Sequence, residues 1–296
     1  MGPTFIVITN FYPAARTALQ YADALASSQG GRLVLLHINR ASLYDPYVFA
    51  GEAWRRNELE QSADTAALLN QLAAQLRSPA TVELTTDLLP ELAQDLAVRY
   101  QPAVFVLGLP AANQNTTPVG TAALELLRAA QLPLLLVPVG TPAIPPQQVL
   151  VAADREAFAL GSAAAGTAAL LRNLGAELTV AYVSEVEDDG GCTSALRAVQ
   201  HSGLADGHTL YLRGYLNSNC AEGLLEAQVE TGADLLLLLA RSRSYLGEVF
   251  HRSVTAQVIA TAPVPVLVVP VTEPQPAEPQ PAAYQPNNNS LLMPEA

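Results

Sequence analysis

Gly108, Gly120 and Thr121 are the residues whose types and spacing best suit binding chemistry. Gly120-Thr121 opens a predicted helix, and a glycine plus hydroxyl there can cradle phosphate, because free backbone N–H groups and the helix dipole both favour an anion. Ser253 has the matching place in the second half of the chain. Two further groups follow predicted strands: Thr9, Asn10 and Phe11 early in the chain, and Asp154, Arg155 and Glu156 later. Arg241, Arg243 and Arg252 gather near the second group and form a local spot expected to face an anion, since guanidinium groups can replace amide contacts. Thr121 and Ser253 are equally suited to plain helix capping.

Other reactive types are less well placed. His37 ends an apolar run and reads as a hydrogen-bonded core histidine, while His201, His208 and His251 lack metal-ligand spacing. Cys192 and Cys220 have no CxxC neighbour, so no metal or disulfide framework is expected. The acidic stretch Glu185 to Asp189 reads as a solvated loop. All 15 basic residues are arginine, which removes Schiff-base, Walker-type and lysine-base chemistry. With 27 acidic residues the net charge is -12, the wrong sign for a nucleic-acid partner. No apolar run approaches the ~20 residues of a membrane span, and no signal-peptide pattern opens the chain, so a cytoplasmic protein without a membrane partner is expected.

The elements that must position these residues follow from periodicity. Short apolar runs alternate with alanine-rich helical segments, the pattern of a parallel sheet covered on both faces, hence a doubly wound, Rossmann-like α/β fold. Strands are predicted at Phe5 to Thr9, Arg32 to Ile38, Thr81 to Thr86, Ala103 to Gly108 and Leu134 to Val137, with helices at Ala14 to Ser28, Glu52 to Arg77, Pro90 to Tyr100 and Thr121 to Ala130. Second-half strands are predicted near Val149 to Ala153, Glu177 to Val183, His208 to Tyr215, Leu235 to Ala240 and Val266 to Val269. In such a sheet ligands bind beyond the carboxyl ends of the strands where the winding reverses, the place to which the candidates above map.

The halves are copies of one unit. At an offset of 132 residues, Thr121 to Val139 lies on Ser253 to Val271 without a gap, with Ala130, Pro133, Leu135, Val137, Pro138 and Val139 on identical residues. At an offset of 145, Leu33 to Ile38 lies on Leu178 to Val183. The reading is domain one at 1–140, a proline-rich linker at 141–147, domain two at 148–271, and a tail at 272–296 whose Pro- and Asn-rich composition predicts disorder.

The segment Phe5 to Phe11 followed by Pro13 to Leu19, with the closing stretches Leu132 to Pro138 and Val264 to Pro270, resembles the opening and closing signatures of universal stress proteins. The resemblance covers residues 4 to 271 as a tandem pair. It implies a five-stranded parallel sheet per domain in the order 3-2-1-4-5, and an intramolecular pseudo-dimer joined through the fifth strands, either alone or in a homodimer. ATP-binding members carry an aspartate after strand one. After strand four they carry a glycine, another three residues on, then nine residues and a Gly-Ser or Gly-Thr pair.

Here Gly108, Gly120 and Thr121 match in domain one, but Asn10 replaces the aspartate, Ala111 the middle glycine, and the loop is one residue short. Domain two keeps Asp154 and Ser253, yet Ala240, Arg243 and Arg252 fill the glycine positions. The resemblance thus implies degenerate ATP sites: no cofactor is expected, with an ATP site in domain one as the alternative. The expected function is non-enzymatic stress adaptation through a protein partner or small ligand. An ATP-binding switch or slow ATPase using domain one is the second reading, with Asn10 near the sugar.

Overall fold

The computed structural model describes residues 2–9, 11–38, 51–85, 89–110, 132–162, 164, 166–241 and 253–274, with backbone alone at 51–62 and 89–91. The first half runs β1 (Thr4–Ile8), α1 (Pro13–Gln29), β2 (Arg32–Ile38), α2 (Gly51–Ala74), β3 (Ala80–Thr85), α3 (Leu89–Arg99), β4 (Ala103–Leu109) and β5 (Leu134–Pro138). The second runs β6 (Gln148–Ala152), β7 (Ala159–Leu160), α4 (Gly166–Leu174), β8 (Glu177–Ser184), α5 (Asp189–His201), β9 (Leu210–Leu216), α6 (Cys220–Thr231), β10 (Leu235–Arg241), α7 (Val254–Thr261) and β11 (Val266–Thr272). The predicted strands agree with these to within two residues, except that β11 runs three residues further and β7 is an addition. The helix expected at Thr121 to Ala130 lies outside the described residues, as does the tail from residue 275.

Each half is a parallel sheet in the order 3-2-1-4-5, and the two merge into one mixed sheet, β3-β2-β1-β4-β5-β11-β10-β6-β8-β9. The junction is antiparallel, with Leu136, Leu135 and Leu134 facing Val266, Leu267 and Val268. The inner strands of the resulting sheet are buried on both faces, which is why they read as apolar runs, whereas the edge strands β3 and β9 hold no buried residue. On one face Ile6, Phe105 and Leu136 share a core with Leu150, Leu236 and Val266; on the other Phe5, Val7 and Leu135 share one with Val151, Leu237 and Leu267. Each core therefore runs through both halves, and neither half closes its apolar surface alone.

Local signals set the element ends. Pro13 sits in the first turn of α1, where its missing N–H costs nothing, and Gly30 ends the helix in the left-handed region at φ +59°, its N–H bonded to the Ala26 carbonyl. Asp23, buried on α1, is satisfied by the backbone N–H groups of Ser78 (2.9 Å) and Arg77 (3.0 Å), tying α1 to the turn before β3. Asp234 pins the start of β6 in the same way, accepting from the N–H groups of Gln147 and Gln148.

The halves differ after their first strands. In the first, α1 begins five residues beyond the end of β1, whereas in the second, the chain after Ala152 runs through an extended strap before α4 starts at Gly166. Within that strap β7 adds antiparallel to β11, pairing Leu160 with Val271 and Ala159 with Thr272, and Phe158 is buried in the core. The strap occupies sheet edge that β5 leaves uncovered, because the β5 pairing stops at Val268.

Candidate functional site

The carboxyl ends of β1 and β4 form the switch point of the first half. Thr9 is buried there and donates its N–H to the Leu36 carbonyl at 2.8 Å. The Thr9 carbonyl in turn lies 2.9 Å from His37 Nδ1; a carbonyl can only accept, so that nitrogen carries the proton. His37 is thus the hydrogen-bonded histidine the sequence suggests. Its imidazole lies 5.5 Å from the Phe11 ring, the planes tilted by 46°. Phe11 has φ +60°, a conformation a residue with a Cβ adopts only at a cost. Asn10, Ala111, the polar loop 113–117, Gly120 and Thr121 lie outside the described residues.

Gly108, at the end of β4, has a packing reason for its identity. A Cβ on it would stand 2.1 Å from the Ala14 carbonyl oxygen and 2.8 Å from the Ala15 nitrogen, both backbone atoms of α1. The first turn of α1 therefore lies directly on this glycine. Its match to a phosphate-binding position coincides with a demand made by the fold itself.

The second-half switch point is built from charges. Because β6 and β10 are adjacent, residues just beyond their ends meet, and Arg241 reaches the loop that follows β6. Its guanidinium makes four hydrogen bonds: Nε to Asp154 Oδ2 at 3.1 Å, Nη2 to Asp154 Oδ1 at 2.7 Å, Nη2 to the Glu156 carbonyl at 2.6 Å, and Nη1 to the Ala157 carbonyl at 3.2 Å. Glu156 Oε2 adds a second carboxylate at 3.6 Å from Nε. The Arg241 side chain is only 11% exposed. Asp154 also accepts from the Glu156 N–H at 2.9 Å, so the loop wraps the guanidinium as a cage of two carboxylates and two carbonyls.

On the other side of β6, Arg155 lies 3.6 Å from Asp188, which accepts from the Tyr182 hydroxyl and the Gly191 N–H, each at 2.8 Å. The Tyr182 hydrogen bond, then that of Gly191, then the Arg155 charge hold the Asp188 carboxyl below its ordinary value. The acidic stretch expected to be a solvated loop thus supplies, through Asp188, the cap of α5. The post-β6 loop is thus tethered on both sides, to the end of β10 and to the cap of α5.

These contacts correct one sequence expectation. Arg241 does not face an incoming anion; its charge is turned inward onto Asp154 and Glu156. Arg243 and Arg252 lie outside the described residues. Asp154, expected as a ligand aspartate, is the main partner of Arg241. Ser253 caps α7, its Oγ accepting from the Ala256 N–H at 3.2 Å. The pairing of Asp154 with Arg241 was readable in principle, since both follow adjacent parallel strands.

The cysteines are not activated. Burial first, and the Asp154 charge second, raise the Cys220 thiol; burial, then Asp189 and Asp188, raise that of Cys192. Among the described residues no group of three or more His, Cys, Asp or Glu could hold a metal. No helix among them is long and apolar enough to cross a membrane.

Residues 215–270, which hold β10, α7 and most of β11, match the Universal stress protein family. The second half thus carries a match to that family, over part of its length. The fold as a whole is similar to that in the crystal structure of a universal stress protein from Archaeoglobus fulgidus DSM 4304, which superposes with a TM-score of 0.66 at 17% identity, covering 90% of this chain and 98% of that one. The cytoplasmic domain of a prokaryotic cation chloride cotransporter shares the fold more loosely, with a TM-score of 0.52 at 11% identity over 92% of this chain and 96% of that one. No curated protein matches significantly by sequence. The universal stress protein architecture thus serves proteins of different kinds, and function must be argued from the sites.

Proposed function

We propose that this chain is a non-enzymatic stress-adaptation protein that works by binding a protein partner or a small ligand, with nucleotide sites that have lost their full complement of ligand groups. The observation that carries this reading is the state of the second-half crevice. Asp154, the residue an ATP-binding member would turn to its ligand, is spent on Arg241, and Ser253 is spent on capping α7. Raised cysteine thiols and a histidine whose Nδ1 is engaged by a backbone carbonyl also favour binding over covalent or acid–base chemistry.

A second reading, an ATP-binding switch or slow ATPase confined to the first half, has one observation in its favour. Leu109 stands at the register position of Ala240, and Pro110 follows it where Arg241 follows Ala240, so no internal guanidinium is placed at that crevice from the end of β4. Calorimetric titration with Mg-ATP, ADP and AMP separates the two, with Gly120→Arg as control and a phosphate-release assay alongside. The proposal expects no saturable heat from any nucleotide and no phosphate release. Saturable ATP binding abolished by Gly120→Arg would replace it with the switch reading.

A further inference from the structure

The strap between β6 and α4 is fastened to the body at three kinds of contact. Arg241 grips its base through Asp154, Glu156 and Ala157; Phe158 plugs into the core; and Ala159 and Leu160 pair with Thr272 and Val271 of β11. The grip differs in kind from the other two, because a single side chain from another strand makes four of the strap's hydrogen bonds. The adjoining Arg155, with its side chain 67% exposed, adds a weak surface pair to Asp188.

We propose that Arg241 is the latch of this strap: its guanidinium holds residues 153–160 as one unit, and loss of its grip frees that unit while the sheet stays folded. Release withdraws Phe158 from an apolar slot and exposes the backbone of β11 at Val271 and Thr272, an edge that β5 is too short to cover. The device goes beyond the binding function proposed above and does not depend on which ligand the first half takes. Its logic is local unfolding: a segment held by few contacts opens below the cost of global unfolding, and one charge-assisted cluster then sets how often it does so.

The chain offers an unusually direct test. With no lysine, trypsin cuts after arginine alone, and Arg155 lies in the strap. Cleavage needs several residues to leave the surface together, so its rate follows the population of the open strap, not the exposure of one side chain. Limited trypsinolysis of the full-length protein, followed by intact mass, should show slow cutting after Arg155. In Arg241→Gln that cut should speed up by on the order of tenfold, yielding fragments 1–155 and 156–296, with unchanged circular dichroism. Asp154→Asn, which keeps the shape of the loop but removes its charge, should act in the same direction. An unchanged rate at Arg155 in the folded Arg241→Gln protein overturns the latch. If that variant instead loses protection at all its arginines, the folded Asp154→Asn protein decides: faster cutting confined to Arg155 supports the latch, and an unchanged rate overturns it.

Discussion

The two halves descend from one unit and share strand order, yet they treat the end of the fourth strand in opposite ways. In the first half that position is Gly108, pressed against the backbone of α1; in the second the register places Leu239 there, followed by Ala240 and Arg241. The difference is coupled to what the chain does after the first strand. Where the helix starts at once, its first turn lies on the β4 end and only glycine fits. Where the chain detours through a strap, the same place admits the side chain of Leu239, and an arginine two residues on meets an acid. A duplicated strand end has thus been resolved into one packed by a helix turn and one bound into an ion-pair cage.

The comparison breaks most visibly at the strand-four position. Gly108→Ala should cost about 3 kcal/mol, because the new methyl meets backbone that cannot swing aside. Leu239→Ala, at the matching and half-buried position, should cost about 1 kcal/mol, from lost burial. Urea denaturation of both variants tests this, and equal losses would remove the link between glycine and α1.

The shared cores give the next effect. Leu135→Ala and Leu267→Ala, facing each other at the junction, should each cost about 2–4 kcal/mol within a single urea transition. The double variant should lose less than the sum, since the two residues share one neighbourhood. A transition that splits in two would show that the halves fold separately.

The smallest effect concerns acid. The Asp188 carboxyl is held below its ordinary value when folded, so its contribution is present above the ordinary carboxylate range and is lost as pH falls through the folded-state value. Tyr182→Phe removes the largest cause of that depression. Thermal denaturation of this variant from neutral to low pH should lose less stability on acidification than the parent protein; parallel curves would mean that the Tyr182 contact does not operate.

Much of the fold was legible in the sequence, because buried parallel strands demand continuous apolar runs and a duplicated unit repeats them in order. The run Leu132 to Val139, matched by Val264 to Val271, even pointed to the strands that meet at the junction. The site was legible only in part. Gly108 was picked for its suitability to phosphate, but its nearest demand comes from Ala14, a contact across the fold that no local pattern records. The three arginines were grouped by charge, whereas Arg241 is defined by the two carboxylates around it. The strap escaped notice because its alanines resemble a helix; Gly161 and Gly166 were the available hints, and the paired charges on Asp154, Glu156 and Arg241 were the stronger one.

The antiparallel seam between β5 and β11 has a geometric outcome for the whole molecule. It rotates one half end for end within the plane of the sheet, so the two crevices open at opposite poles of a shared sheet. A molecule seated at one pole stands far from the mouth of the other, and the two poles can be addressed independently. The two ends are joined through the three facing pairs of Leu134 to Leu136 with Val266 to Val268 and through the two cores that run across them.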